Sequence, residues 1–222
     1  MMPASHNAHV PVAPFSVLAA RTDPPLDQLA LAIAAQFREV DTDPALQRLD
    51  ELGEEVAAEP GDALIALADV LGRRHHYAGD RESYDDPANS MLDIVLERRS
   101  GLPILLSIVY VEVARRAGLA LAGVGLPAHY VVGRFQPPPP VLLDPFAGGA
   151  RLEAQDSAHV RPWGPHETAM RMLNNLVGSY TRRNDIGRAI RAAEMRLELA
   201  PLPGQPAEAL GAELRALRAR LN

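Results

Sequence analysis

The sequence contains no cysteine and no lysine; all 22 basic residues are arginine. Without cysteine there is no disulfide, no thiolate metal site and no thiol nucleophile. Without lysine there is no Schiff-base amine, no P-loop lysine and no attachment point for pyridoxal phosphate. The arginine bias reads as the mark of a GC-rich genome. Long apolar runs are also missing, and none approaches the ~20 residues that a membrane span needs. The opening residues, MMPASHNAHVPVAPFSVLAARTDPP, have neither a basic start nor an unbroken apolar stretch, so no signal peptide is expected and the expected compartment is the cytoplasm. The net charge of -6 gives nucleic acid no long-range attraction to the molecule as a whole. At 222 residues the chain can bury one core, or one core with a small appendage.

Residues 1–24, rich in Pro, Ala and His without periodicity, read as a flexible tail. Residues 25–80 read as an N-terminal helical subdomain. Leu26, Leu29, Ile33 and Phe37 are at helical spacing, and Leu46, Leu49 and Leu52 form a second stripe with Asp43 as N-cap and Pro44 at the first helical position. GDALIALADVLGRR is a third helix. DDPANSMLDIVLERRSG then predicts a turn and a helix capped by Asn89 or Ser90, with Gly101 just past its end. From Pro103 to Val111 nearly every position is apolar, which predicts a central rod buried on all sides with Glu112, Arg115 and Arg116 as its wet end. LAGVGLP, HYVVGRF and VLLDPF read as strands, Pro137 to Pro140 as a stiff connection, and FAGGARL as a turn leaving the sheet. Residues 163–222 read as helical: Leu176, Tyr180, Ala189 and Pro201 are at the offsets of one tetratricopeptide-type helix pair, followed by a helix carrying Leu210, Leu214, Leu217 and Leu221.

Several motifs occur together: the Tyr-Asp-x-Pro-x-Asn-Ser turn at Tyr84 to Ser90, the Val-Leu-Glu-Arg-Arg run at 95–99, Gly101-Leu102-Pro103, Pro127-x-His129 and Asp144-Pro145-Phe146. In these motifs the chain resembles the bacterial SirB-one family, whose defining region is a transglutaminase-like core, over about residues 25–200. The resemblance implies an α+β, papain-like core at 81–162, with a buried helix against a small antiparallel sheet. N-terminal helices and a shortened tetratricopeptide-like tail flank it. In that fold Cys opens the helix and His and Asp stand on neighbouring strands. Carried over by position, His129 falls on the His, Asp144 on the Asp, and Pro103 on the Cys.

A triad needs its carboxylate to orient the imidazole and the imidazole to take the nucleophile's proton. Here His129 and Asp144 form a vestigial dyad with no thiol to serve. A symmetric five-residue loop, Gln136 to Pro140, would pair residue 132 with 144 and put His129 on the opposite face; a dyad needs a four- or six-residue loop, or a bulge. Ser107, one turn beyond Pro103, is the candidate replacement nucleophile, although a helical serine is expected to bond back to the carbonyl of Pro103. Asn89, Arg98, Arg99 and Glu112 are candidate binding residues: an arginine beside the cleft could clamp a carboxylate, but an Asx turn and the helix macrodipole suffice for Asn89 and one arginine, and Glu112 can pair with Arg115 or Arg116. His75 and His76 point apart on a helix and offer no metal site. Six arginines (171, 182, 183, 188, 191 and 196) against Asp185 and Glu194 could face RNA, but read first as a solvated helix face.

The sequence therefore predicts a transglutaminase-like domain without its nucleophile, a non-catalytic or regulatory protein that binds a peptide or protein partner. The alternative is a serine- or water-dependent amidase or peptidase using His129 and Asp144. No cofactor, metal, membrane or nucleic acid is expected, and the oligomeric state is left open.

Overall fold

A computed structural model describes residues 11–152, 160–202 and 206–221. The first turn of chain already departs from the expected loose tail. Residues Phe15–Ala19 form α1, with Phe15 and Leu18 buried; positions 1–10 of that tail lie outside the described residues. Helix α2 (Leu26–Ala34) starts after Pro25. Helix α3 (Thr42–Ala58) is capped by Asp41, whose carboxylate accepts from the Asp43 amide, rather than by Asp43 itself. Pro44 then falls inside the first turn, where its missing N–H costs no hydrogen bond. Helix α4 (Ala63–Ala68) runs on as a π-helical turn over Asp69–Arg74.

A two-stranded parallel pair, β1 (Ala78–Gly79) and β2 (Ser100–Gly101), brackets the turn and helix that the sequence placed here. That segment is a short 3-10 turn at Pro87–Ser90 followed by α5 (Leu92–Arg98). Neither Asn89 nor Ser90 caps α5; Met91 holds the N-cap position with no side-chain bond. Its other end closes on Arg99 in the left-handed conformation (φ 59°), not on Gly101, which is occupied in β2.

Helix α6 (Pro103–Arg116) is the predicted rod. Helices α2, α3 and α5 pack on it, as do two strands of a four-stranded antiparallel sheet, β3 (Ala122–Leu126) and β4 (His129–Arg134). The sheet continues in the order β3-β4-β5-β6, with β5 at Val141–Asp144 and β6 at Ala150–Leu152. The glycine pair at 148–149 thus returns the chain to the sheet instead of leaving it: Gly148 and Gly149 take φ of 67° and 83°, and Asp144 pairs with Ala150. Helices α7 (Pro165–Arg182), α8 (Ile186–Glu198) and α9 (Ala207–Ala219) follow, each packed on its predecessor. Leu214 and Leu217 of α9 are buried, whereas Leu221 is exposed. One continuous core runs from Phe15 to Leu217, so the three expected segments share their interior; a small second cluster of Val124, Val131 and Leu142 covers the other sheet face. Among the described residues no helix is long and apolar enough to cross a membrane.

The far end of α6 corrects the expected wet end. Glu112 is only 3% exposed. Its carboxylate accepts from Arg115 Nε and Arg116 Nη1, both at 2.9 Å. Arg116 also donates to Asp50 Oδ1 at 2.5 Å and to Asp27 Oδ2 at 2.7 Å. One guanidinium therefore ties α2 and α3 to α6, and Gly53 lets α3 approach because a Cβ there would collide with the Arg116 side chain. Burial, reinforced by the Asp27 charge, raises the Glu112 pKa above the ordinary carboxylate range.

Replacing Arg116 by Met leaves the buried carboxylates of Asp27 and Glu112 with Arg115 as their guanidinium partner, and should cost about 3–5 kcal/mol in urea unfolding. Carboxyls whose folded pKa lies above the unfolded value stabilise the fold below the unfolded value and lose that contribution as pH rises through the folded one. The Met variant should accordingly regain part of its lost stability between pH 7 and pH 5.

Candidate functional site

The register of β4 and β5 decides whether His129 and Asp144 can meet. Arg134 pairs with Val141 and Val132 with Leu143, so the connection is the six residues from Phe135 to Pro140. This register sets Val131 opposite Asp144, and His129, two residues on, shares the face of Asp144. His129 Nε2 lies 3.0 Å from Asp144 Oδ2. The other carboxylate oxygen, Oδ1, accepts from the amides of Phe146 (2.9 Å) and Ala147 (3.4 Å), capping the 3-10 turn at Pro145–Ala147. Asp144 thus fixes the imidazole and the chain that follows it at once. With Nε2 engaged, Nδ1 is the ring nitrogen left for other chemistry. The His129 side chain is 32% exposed, so a ligand can reach it.

Pro103, the residue onto which the resemblance maps the nucleophile, occupies the first turn of α6. Its ring presets the helical φ and its missing N–H is one that helix starts leave unpaired anyway. It brings no proton to exchange. Ser107 is fully buried, and its hydroxyl donates across to the carbonyl of Tyr130 on β4 at 3.4 Å, not back to Pro103 as the sequence predicted. Among the described residues no hydroxyl hydrogen-bonds the His129 ring. Nor does any group of three or more His, Asp or Glu stand where it could hold a metal ion; His75 is taken up by Glu55 and Arg48.

Asn89 is 1% exposed and works as a latch. Its side-chain amide donates to Asp80 Oδ2 (3.0 Å) and to the Ser83 carbonyl (2.8 Å), while its own carbonyl accepts from Leu102 N at 3.1 Å. The Tyr84–Ser90 motif is thereby fastened to the turn that opens α6. Arg98 is half-exposed and stands 3.7 Å from Asp86. Arg99 faces a separate groove of about 430 Å³ beside Arg38 and Arg48. Glu112 belongs to the ionic knot at the other end of α6. These four residues therefore do not converge on the dyad.

What does surround His129 was not singled out from sequence. The Phe146 ring meets it edge-on at 6.3 Å, Tyr84 meets Phe146 at 6.1 Å, and the Arg81 guanidinium lies 5.2 Å over Phe146. Gly79 is needed beneath, since a Cβ there would strike the Phe146 ring. Tyr110 of α6 has a buried hydroxyl with no partner among the described residues, and burial, then the Asp144 charge, raises its pKa.

Arg171 of α7 is the other missed residue. Strands β3 and β4 are joined by Pro127 and Ala128 alone, with Ala128 at φ 56°, a conformation costing roughly 1–2 kcal/mol for an L-residue. The Arg171 guanidinium bridges that turn, donating to the carbonyls of Leu126 (3.2 Å) and His129 (3.0 Å) while lying over the rings of Tyr130 and Trp163. The basic tail is otherwise paired rather than free. Arg182 meets Asp85, Arg188 meets Asp185, Arg191 meets Glu194 and Glu198, and the buried Arg196 meets Glu213 and Asn174.

Replacing Asn89 by Ala should cost about 1–3 kcal/mol, because the Ser83 carbonyl loses its donor. The Ser83 amide, and next the Asn89 side chain, hold the Asp80 carboxyl below its ordinary value near 3.8. A carboxyl with a lowered folded pKa stabilises the fold above the unfolded value, and that contribution disappears as pH falls through the folded one. Protection of the amides in residues 80–90, measured as exchange relative to the intrinsic rate at the same pH, should therefore fall below about pH 4 in the native protein, and already at neutral pH in the variant.

Comparison with known proteins supplies the family. The profile of the Transglutaminase-like superfamily matches residues 26–191. A UPF0162 protein of Xylella fastidiosa strain 9a5c is 39% identical over 162 residues, 64% of this chain and 57% of its own, so the chain spans a little over half the length of that relative. A UPF0162 protein of Pseudomonas aeruginosa is 30% identical over 86% of this chain and 77% of its own. Human F-box only protein 21 is 28% identical over 61% of this chain and 24% of its own. No solved structure matches. With three quarters of its length inside the profile, and a buried helix set against an antiparallel sheet, the chain belongs to the transglutaminase-like superfamily.

Proposed function

We propose that this protein is a non-catalytic member of its superfamily, which binds a peptide or protein segment in the cleft around His129 and Phe146. The observation that carries this reading is a histidine to which, among the described residues, no protein hydroxyl is hydrogen-bonded. His129 and Asp144 are paired at 3.0 Å, Pro103 stands at the helix start, and the Ser107 hydroxyl is spent on the Tyr130 carbonyl. Acyl transfer needs an activated nucleophile within about 3 Å of its base. A cleft needs only exposed walls, and His129, Tyr84 and Arg81 supply aromatic and cationic ones. We read α7 and α8 as a tetratricopeptide-like pair that serves the cleft through Arg171 and offers a second surface to the same partner. The alternative, an amidase or peptidase using His129 and Asp144, would need water or a serine at Nδ1, and the position of Ser107 speaks against the serine.

A positional-scanning library of terminally blocked tetrapeptides tests this. The native protein should retain a subset of the peptides and release no product. The His129→Ala, Asp144→Ala double variant should bind that subset at least tenfold more weakly, a loss of about 1.4 kcal/mol, while still folded by circular dichroism. Turnover of any peptide amide that disappears with His129→Ala would establish the enzyme instead.

A further inference from the structure

Beside the cleft, where the Tyr84–Ser90 loop meets α7, lies a slot of about 120 Å³. It begins at Leu102, the residue before Pro103, and Tyr84, whose ring closes the row of His129 and Phe146, forms part of its wall. Its other walls include Ser90, Asn175 and Gly178. Asp85, Ser179 and Arg182 also line it, and they pin its two sides together: Ser179 Oγ and Arg183 Nε both donate to the Asp85 carbonyl, and Arg182 pairs with the Asp85 carboxylate at 2.5 Å.

One feature of the slot has no structural explanation. Ser90 is 1% exposed, yet its hydroxyl makes no hydrogen bond among the described residues. A buried hydroxyl without a partner costs on the order of 1–3 kcal/mol, and the residue that carries it is one of those lining the slot. Asn175, half-buried in the same wall, has no side-chain hydrogen bond among the described residues either. Gly178 leaves bare backbone where a Cβ would meet only the far end of Arg182 at 3.1 Å.

We infer that this slot receives one short, neutral, hydrogen-bonding side chain of the bound peptide: Ser, Thr or Asn. The inference rests on the proposal that the cleft binds peptides, and names one of its specificity determinants. The chemistry follows from the walls. Ser90 and Asn175 each offer a donor and an acceptor, which matches a hydroxyl or carboxamide. The charged groups of the lining already have counter-charges, Asp85 with Arg182 and Asp86 with Arg98. An ionised side chain would therefore be desolvated without compensation. A volume of about 120 Å³ holds about four waters at liquid density, or a short side chain in their place.

The same blocked tetrapeptide library tests this with two variants, Ser90→Ala and Gly178→Leu. Native protein should prefer Thr over its isostere Val, and Asn over Asp, by about tenfold at one position of the bound peptides. Ser90→Ala should abolish that preference while its melting temperature stays equal or rises, since an unsatisfied hydroxyl has been removed; a merely structural serine would show the reverse. Gly178→Leu, which fills the slot, should make the same position favour Gly and Ala. If peptides bind but show no such preference, or keep it unchanged in both variants, the slot inference is wrong and the cleft reading stands. If the native protein retains no peptide, both are wrong.

Discussion

A helix that is apolar on every side can exist in water only if something encloses it. That requirement on α6 organises the molecule. Helices α2, α3 and α5 and the sheet all pack on it, and its charged residues, Glu112, Arg115 and Arg116, are gathered at its C-terminal end. At the C-terminal end the Arg116 guanidinium satisfies Asp27, Asp50 and Glu112 together and brings α2 and α3 against the rod. At the N-terminal end Asn89 and Leu102 exchange a backbone hydrogen bond that sets where the helix begins. Phe146, which meets His129 and lies against Gly79, links the dyad to this second end through the pairing of Gly79 with Gly101.

The dyad is held by parts that are distant in sequence. Asp144 comes from the end of β5, His129 from the start of β4, and the carbonyl of His129 is gripped by Arg171 from α7. Arg171 thus joins the C-terminal helices to the strand that carries His129. They also close on the N-terminal region, where Tyr180 stacks with Phe37 and Arg191 reaches Gln36. This explains why the segments that read as separate along the sequence share a single interior.

Periodicity and turn chemistry made most of the architecture legible: the rod, the three strands around the prolines and the terminal helices all follow from apolar spacing and punctuation. The readings that failed were those decided by tertiary partners. Glu112 looked wet because charged residues usually are; only the meeting of α2 and α3 with Arg116 makes its burial tolerable. Ser107 was expected to bond within its own helix, but the Tyr130 carbonyl offered a partner from the sheet. Gly148 and Gly149 announced a turn without saying where it led, and β6 is too short, at three residues, to declare itself by alternation. Whether His129 could reach Asp144 hinged on one residue of loop length, which a run of prolines does not reveal. Arg171 had no local signal at all: one arginine among six, its role is set by carbonyls more than forty positions away.

The two oxygens of Asp144 have different employers. One keeps the imidazole in place and the other ties down the turn that leads to β6. Losing this carboxylate would free the imidazole and also loosen the turn that carries the chain into the edge strand of the sheet. The histidine–aspartate pair is therefore part of the architecture, whatever its reactivity.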